Sequence, residues 1–259
     1  MMNIRRVVVV VGVVVVIGLG LLAFYVFRPP EAASGPLEAV PLALPTTAPL
    51  AQPTAAPAAP AATAVAEATT MPASPTTATE PILQLFAIDQ SRSEARFLID
   101  EVLRGQPVTV VGVTNQVAGQ IALDPNVPTA QVGVIQINAR TFATDNEFRN
   151  RAIKNAILRT NQFELITFTP RVITGLPAQV TIGVPFEFTI EGDLTITDVT
   201  RPVTFTVTVT PVSQTEISGI AKTTVLYRDF NLIIPDSPSV DTVADEVRLE
   251  LEFVATLVG

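Results

Sequence analysis

The feature that most constrains the fold is a side-chain period of two, which begins near Gln84 and continues to the end of the sequence. Apolar residues occupy every second position of 94–100, 186–191, 204–209 and 247–253, and apart from Leu98 the residues between them are polar. Successive side chains of a β-strand point to opposite faces, so this alternation is typical of strands with one buried face. The C-terminal part of the chain is therefore predicted to be an antiparallel all-β domain.

Four further runs have the composition of strands, at 117–123, 132–141, 165–173 and 217–226. All of these runs are bounded by Gly, Pro, Asn or Asp, the residue types that form turns. About eight short strands separated by turns predict a closed barrel or a sandwich.

The segment 147–159 breaks the pattern, because helix-forming residues dominate it and neither Pro nor Gly interrupts it. We predict a helix of three turns here. On a helical wheel its apolar half holds Phe148, Ala152, Ile153, Ala156 and Ile157. Arg149 falls in the middle of that half. An unpaired charge in a dry site is costly, so Arg149 is expected either to pair with a carboxylate or to contact the polar end of a ligand.

Residues 1–28 are predicted to be a membrane anchor. The apolar run 7–27 would span roughly 30 Å as a helix, which matches the hydrocarbon core of a bilayer. A cleavable signal peptide is the alternative, but it would have a shorter apolar region followed by small residues, whereas Arg28-Pro29-Pro30 follows here. Arg5 and Arg6 precede the run and favour the cytoplasmic side. We expect a single-pass protein of the cell membrane with its C-terminal domain outside the cytoplasm.

Residues 29–81 are rich in Pro, Ala and Thr and contain no aromatic residue. Such a stretch buries too little apolar surface to offset the entropy of ordering, so a disordered linker is predicted. Extended proline-rich chain rises about 3.1 Å per residue, which gives the linker a reach on the order of 150 Å. Its Thr and Pro content also suits O-glycosylation, and a plain spacer is the alternative. The folded domain is assigned to 82–259.

Composition excludes several kinds of function. The chain has no Cys and no His, so Cys/His zinc sites and Ser-His-Asp triads are excluded. A net charge of −8 disfavours nucleic acid as a partner. Glu191 and Asp193, two apart on a strand, do not imply the substrate cleft of a glycosidase. We therefore predict a binding protein with no catalytic residues, no metal site and no cofactor.

Four acidic residues near the C-terminus raise the question of calcium, which prefers carboxylate and carbonyl oxygens. They are Asp236, Asp241, Asp245 and Glu246. Their spacing matches no known calcium-binding loop, so a solvated loop is expected instead.

Four groups of short motifs occur in order along 86–258. They are Phe86-Ala87-Ile88-Asp89 with Ser91 and Ser93; Thr144-Asp145-Asn146 with Arg149-Asn150 and Phe163; Gly192-Asp193-Leu194-Thr195-Ile196 with Val199-Thr200-Arg201-Pro202-Val203; and Tyr227-Arg228-Asp229-Phe230-Asn231 with Ala244-Asp245-Glu246-Val247. Their order and spacing resemble those of the polyisoprenoid-binding YceI-like proteins.

This resemblance implies an eight-stranded antiparallel lipocalin-like barrel with a short helical insertion, whose interior holds an isoprenoid quinone tail, a polyprenyl lipid or another long-chain lipid. An eight-stranded barrel is just wide enough for side chains or one slim ligand, so a barrel with a filled core and a structural or interaction role is the alternative. The candidate ligand-binding residues are Phe97, Ile99, Ile137, Phe142, Phe148, Arg149, Ile157, Phe163, Phe168, Phe188, Phe205 and Phe230.

The sequence departs from the family pattern at two places. Asn150 and Ala152 stand where many relatives have Asp and His, and Thr197-Asp198 replaces a His-Gly or Asn-Gly pair. Contact with a ligand headgroup is therefore expected to fall to Arg149, Asn146 or Asn150.

Overall fold

A computed structural model describes residues 24, 28–43, 83–124 and 129–258. The predicted anchor lies outside these residues, apart from Phe24 and Arg28, as does 44–81 of the predicted linker. Across the described residues, no helix combines the length and the apolar character that crossing a membrane requires.

The folded part is mostly antiparallel β-sheet with one short α-helix, as the alternation predicts. Its described residues form twelve strand segments: β1 (Gln84–Ile88), β2 (Glu94–Leu103), β3 (Gln106–Thr114), β4 (Val117–Ala118), β5 (Gln120–Leu123), β6 (Ala130–Val132), β7 (Ile135–Asn138), β8 (Leu165–Thr174), β9 (Phe186–Ile196), β10 (Val199–Pro211), β11 (Glu216–Leu226) and β12 (Val240–Leu257). Short 3₁₀ turns lie at Gln90–Arg92, Ala139–Thr141 and Tyr227–Phe230.

The predicted helix is shorter and less regular than expected. Helix α1 covers Glu147–Ala152, and a π-helical turn at Ile153–Ile157 follows it. The Asn146 side chain caps α1, because its oxygen accepts hydrogen bonds from the backbone amides of Phe148 at 2.9 Å and Arg149 at 3.1 Å. The prediction of Phe148 on a buried face is wrong, since 67% of this residue is exposed. Phe148 lies in the first turn of α1, ahead of the π-helical turn, and lines an open cleft instead of packing into the core.

The strands form a single curled sheet in the order β4-β7-β8-β9-β10-β11-β12-β1-β5-β6, and β2 joins β12 to β3. Strand β12 is long enough to pair with β11 along most of its length, with β2 from Val240 to Glu252 and with β1 near its end. The segment 117–123 meets β7 through β4 and β1 through β5. This segment therefore links strands from the two arms of the sheet, and the inner face encloses the core.

Two strands, β1 and β3, were absent from the eight predicted runs. The inward positions of β3 are Val108, Val110, Gly112 and Thr114, and exposed Val111 lies among the outward positions. Because valine occurs on both faces and two inward residues are small or polar, the alternation is hidden in the sequence. The strand pairs with β2 over its whole length.

Close packing at Gly192 leads to a stability prediction. A Cβ atom at this position would lie 2.5 Å from the Thr169 carbonyl oxygen and 2.6 Å from Cζ of Phe168. We expect Gly192→Ala to lower the free energy of unfolding by about 1–3 kcal/mol, the usual cost of overpacking. Denaturant unfolding measures this change. Glu191→Ala, at the exposed neighbouring position, should cost less than about 0.5 kcal/mol. Equal stability of the two variants would contradict this packing.

Candidate functional site

The main candidate site is an apolar cavity of about 230 Å³ inside the curled sheet. Alternate residues of the strands supply its walls, because the inward positions are large and apolar. In β9, for example, Phe186, Phe188 and Ile190 point inward, whereas Glu187 and Glu191 point outward and are exposed. The aromatic residues that line the cavity are Phe86, Phe142, Phe168, Phe186, Phe188, Phe205 and Phe253.

The cavity lining reaches the loops at one end of the sheet, which we call the mouth end. Loop 175–185, between β8 and β9, supplies Leu176, Val180 and Ile182 to its lining, and turn 212–215 supplies Ser213 and Gln214. The opposite end, the helix end, carries α1, the β2–β3 turn at 104–105 and the loop 231–239.

Five of the twelve candidate ligand-binding residues line the cavity: Ile137, Phe142, Phe168, Phe188 and Phe205. Phe168 and Phe205 pack edge to face with ring centroids 4.9 Å apart, which fixes both rings in the wall. Ligand binding by these residues stays a prediction.

The other seven candidates lie elsewhere. Phe97 packs edge to face on Phe142 and against Gly112, Ile99 is a half-buried residue of β2, and Phe230 is buried in the core. Phe163 lies under the Arg159 guanidinium, 4.9 Å from ring centroid to Cζ. Phe148, Arg149 and Ile157 line a second, open cleft at the helix end.

The twelve candidates omitted the strand residues Phe86, Phe186 and Phe253, and they also missed cavity residues that stand on loop 175–185 or are small. Leu176, Val180 and Ile182 belong to no strand, so no period of two could point to them. Ala95 and Ala221 occupy inward strand positions, and their small side chains leave space that larger residues would fill. Their place at the inward positions of the strand alternation was the one feature of the sequence that could have identified them.

Arg149 forms ion pairs with Glu101 at 3.0 Å and with Asp145 at 2.5 Å. This arrangement is the first of the two alternatives expected for a charge on the apolar half of the helix. Asn150 is buried and accepts hydrogen bonds from the backbone and side chain of Thr144 at 2.7 and 2.8 Å. A headgroup role for these residues stays a prediction.

The acidic C-terminal residues interact with the protein itself. Asp241 accepts a hydrogen bond from the Gly105 amide at 2.7 Å, and Asp245 pairs with Arg228 at 2.7 Å. In the described part of the chain, no group of three or more Asp, Glu, His or Cys residues is arranged to hold a metal ion.

Residues 28–43, which belong mostly to the predicted linker, lie against the outside of the sheet; we call them the docked segment. At its start, the Arg28 carbonyl accepts a hydrogen bond from the Asn155 side chain at 2.8 Å. Near its end, the Leu42 amide donates to the Gln120 side chain at 2.7 Å. The segment therefore runs from the helix end to the start of β5.

The centre of the docked segment is held by charged groups. The Ser34 amide and hydroxyl donate to the Glu164 carboxylate at 2.8 and 2.5 Å, and Arg140 contacts both Glu164 and Glu31 at 3.0 Å. Burial raises the pKa of Glu164, but hydrogen bonds from Ser34 and the charge of Arg140 outweigh this effect and hold the pKa below its usual range.

The lowered pKa predicts how docking depends on pH. A carboxyl group whose pKa is depressed by its contacts stabilises them above its unperturbed pKa, and the stabilisation is lost as the pH falls through the depressed value. We expect the Ser34 contact to persist down to about pH 4.5 and to weaken below it. The chemical shift of the Ser34 amide proton, followed by NMR, measures this titration.

The Glu164→Gln variant should abolish that titration, whereas Glu38→Gln, an exposed change within the docked segment, should leave it intact. An amide shift that titrates near neutral pH, or equally in both variants, would contradict the assignment to Glu164.

Comparison with known proteins gives matches for the folded domain. A family model described as the YceI-like domain matches residues 86–255. A polyisoprenoid-binding domain from Saccharophagus degradans, implicated in plant cell wall breakdown, shares 15% identity at a TM-score of 0.55, covering 67% of this chain and 98% of that one. The BcnA protein of Burkholderia cenocepacia shares 20% identity at a TM-score of 0.52, covering 65% and 99%. No curated protein sequence matches the chain. At these identities the two structures show a shared fold.

Proposed function

Because this chain belongs to the YceI-like family, whose members are binding proteins, we propose that its barrel holds a long-chain isoprenoid lipid, such as a quinone tail or a polyprenyl chain. The observation that carries this proposal is the apolar cavity between β8, β9, β10 and their neighbours. A related structure is described as a polyisoprenoid-binding domain, which supports the same ligand class.

The chemistry of the cavity suits a hydrocarbon chain. Its lining is almost wholly apolar, and each methylene group moved from water into such a site gains about 0.8 kcal/mol. Its volume of about 230 Å³ is somewhat below the roughly 300–1,000 Å³ of pockets for drug-sized ligands. A long lipid would therefore occupy it with part of its chain and extend through the mouth.

The pairing supports reading the twelve segments as an eight-stranded lipocalin-like barrel. Segments β1 and β2 succeed one another along β12, and segments β3, β4 and β5 together form the next strand. The segments β6 and β7 pair in turn with β5 and β4. Counted in this way, β1–β2, β3–β5, β6–β7 and β8 to β12 give eight strands around one interior.

We also propose that residues 1–28 anchor the protein in the cell membrane, with the domain outside the cytoplasm and 29–81 as the connection. The apolar run 7–27 and the two arginines before it support this topology. A lipid-binding domain gains from such an anchor, because its ligand is concentrated in membranes.

A competition assay tests the ligand class. Residues 28–259 are titrated with a fluorescent polyprenol, and an isoprenoid quinone, an unlabelled polyprenol and palmitate compete for the site. We expect saturable binding of the fluorescent polyprenol, which both isoprenoids displace strongly and palmitate displaces weakly. If the fluorescent polyprenol showed no saturable binding, the result would contradict the proposal and favour a structural or interaction barrel.

A further inference from the structure

The mouth end carries almost no charge. Loop 175–185 and turn 212–215, which together we call the rim, contain no charged residue. The neighbouring Asp124 is buried, with 4% of its surface exposed. Among strand residues close to the rim, Glu216 pairs with Arg92 at 2.8 Å and Glu187 points outward from the wall of the sheet.

The rim displays apolar side chains to solvent. The exposed fractions of Ile182, Val184 and Val212 are 55%, 54% and 46%. Backbone hydrogen bonds hold them there: the Val184 amide donates to Thr181 at 3.1 Å, and the Gly183 amide donates to Pro211 at 2.8 Å. Clustered apolar side chains that are held in solvent mark a surface for interaction.

The exposed surface is continuous with the cavity. Ile182 lines the cavity and is also more than half exposed, and Leu176 and Val180 of the same loop lead inward from it. A hydrocarbon chain passing along these residues would stay in contact with apolar atoms from the interior to the outer surface.

The helix end has the opposite character. Its segments carry many charged side chains, among them Glu101, Arg149 and Asp145 in one ion-pair cluster and Arg228 with Asp245 in another. The helix end also exposes Phe148 and Ile233, at 67% and 77%, but these side chains share a cleft with Glu101, Arg149 and Arg228. Charged groups are costly to move into hydrocarbon, so the uncharged mouth end suits contact with the apolar part of a membrane better.

We propose that the rim docks on the surface of a lipid bilayer, with Ile182, Val184 and Val212 inserted at the boundary between headgroups and acyl chains. This inference rests on the proposed function, because a docked mouth lets a long-chain lipid enter and leave the cavity without crossing water. Since the rim is uncharged, docking depends on apolar burial and not on anionic headgroups.

Arg28 lies against Asn155 at the helix end, so the rim is at the far end of the domain from Arg28.

Vesicle flotation of residues 28–259 tests the docking. This part contains the whole described core, which draws on residues 86–255, and the two similar structures consist almost entirely of the matched domain. We expect the protein to float with neutral phosphatidylcholine vesicles, and to do so equally with added phosphatidylglycerol and at high salt. Binding only to anionic vesicles, or binding lost at high salt, would overturn the proposal.

Two matched variants locate the contact. Val184→Asp should lower the vesicle partition coefficient by about tenfold, because a buried valine is replaced by a charge. Ile233→Asp, at a position of the helix end that is 77% exposed, should float like the unchanged protein. The proposal would be overturned if both variants lost vesicle binding equally, or if Val184→Asp lost none. It would also be overturned if the rim held two copies of the chain together without binding vesicles.

A binding assay in detergent separates this inference from the proposed function. Val184 does not line the cavity, so Val184→Asp should bind the fluorescent polyprenol as tightly as the unchanged protein does. If the unchanged protein did not bind polyprenol, the proposed function would be contradicted but the docking would not, since flotation measures docking independently. Loss of binding in Val184→Asp alone would overturn the separation of rim from cavity.

Discussion

Replacement of Ala221 by phenylalanine should weaken isoprenoid binding by roughly fiftyfold. Ala221 lies on β11 between Val207 and Leu251, and its small side chain borders the cavity. A phenyl ring at this position would occupy the space of about three methylene groups of a ligand, each worth about 0.8 kcal/mol, and every 1.4 kcal/mol changes affinity tenfold. Titration with the fluorescent polyprenol measures the change.

The matched control is Thr224→Phe, which adds the same ring at an exposed position of the same strand. It should leave affinity within about twofold, well under 1 kcal/mol. Thermal unfolding must show that Ala221→Phe is folded, because overpacking costs about 1–3 kcal/mol where the new ring is not accommodated. A folded Ala221→Phe protein with unchanged affinity would place the ligand outside the cavity.

Truncation of Phe230 to alanine is expected to have the largest effect on stability. This side chain is 1% exposed, belongs to the core cluster and does not line the cavity. Phe→Ala changes in a packed core cost about 3–5 kcal/mol, because transfer free energy is lost and a void is left. The melting temperature should therefore fall on the order of 10 °C.

The control for this change is Phe148→Ala, also at the helix end, where the phenyl ring is largely in solvent. It should shift the free energy of unfolding by less than about 0.5 kcal/mol. Calorimetry on both variants decides the matter. A loss of similar size in the two proteins would mean that Phe230 is not a core residue.

Strand prediction from the sequence succeeded where the two faces of a strand differ in polarity. In β9 and β12 the inward residues are apolar and the outward residues are mostly Glu, Arg, Thr or Asp, so the alternation is plain. In β3 it is hidden, because Val111 points outward and Gly112 inward. The cavity walls on strands were predictable for the same reason, whereas Leu176 and Val180 at the mouth follow no period.

Contacts between distant parts of the chain could not be predicted in this way. Of the two carboxylates that pair with Arg149, Asp145 is local, but Glu101 lies 48 positions earlier, and only the folded sheet brings it to the arginine. The docked segment is a similar case, because its composition indicates only how little apolar surface it can bury. Ser34 and Arg28 are held instead by hydrogen bonds to Glu164 and Asn155, which leave no signature in local sequence.

The most direct test of isoprenoid binding is native mass spectrometry, with lipid extraction, of residues 82–259 purified without detergent from a membrane-containing host. The proposed function predicts a stoichiometric adduct whose extracted lipid is an isoprenoid. A clean mass that stays unchanged after incubation with quinones and polyprenols would contradict it and would leave a barrel with a structural or interaction role.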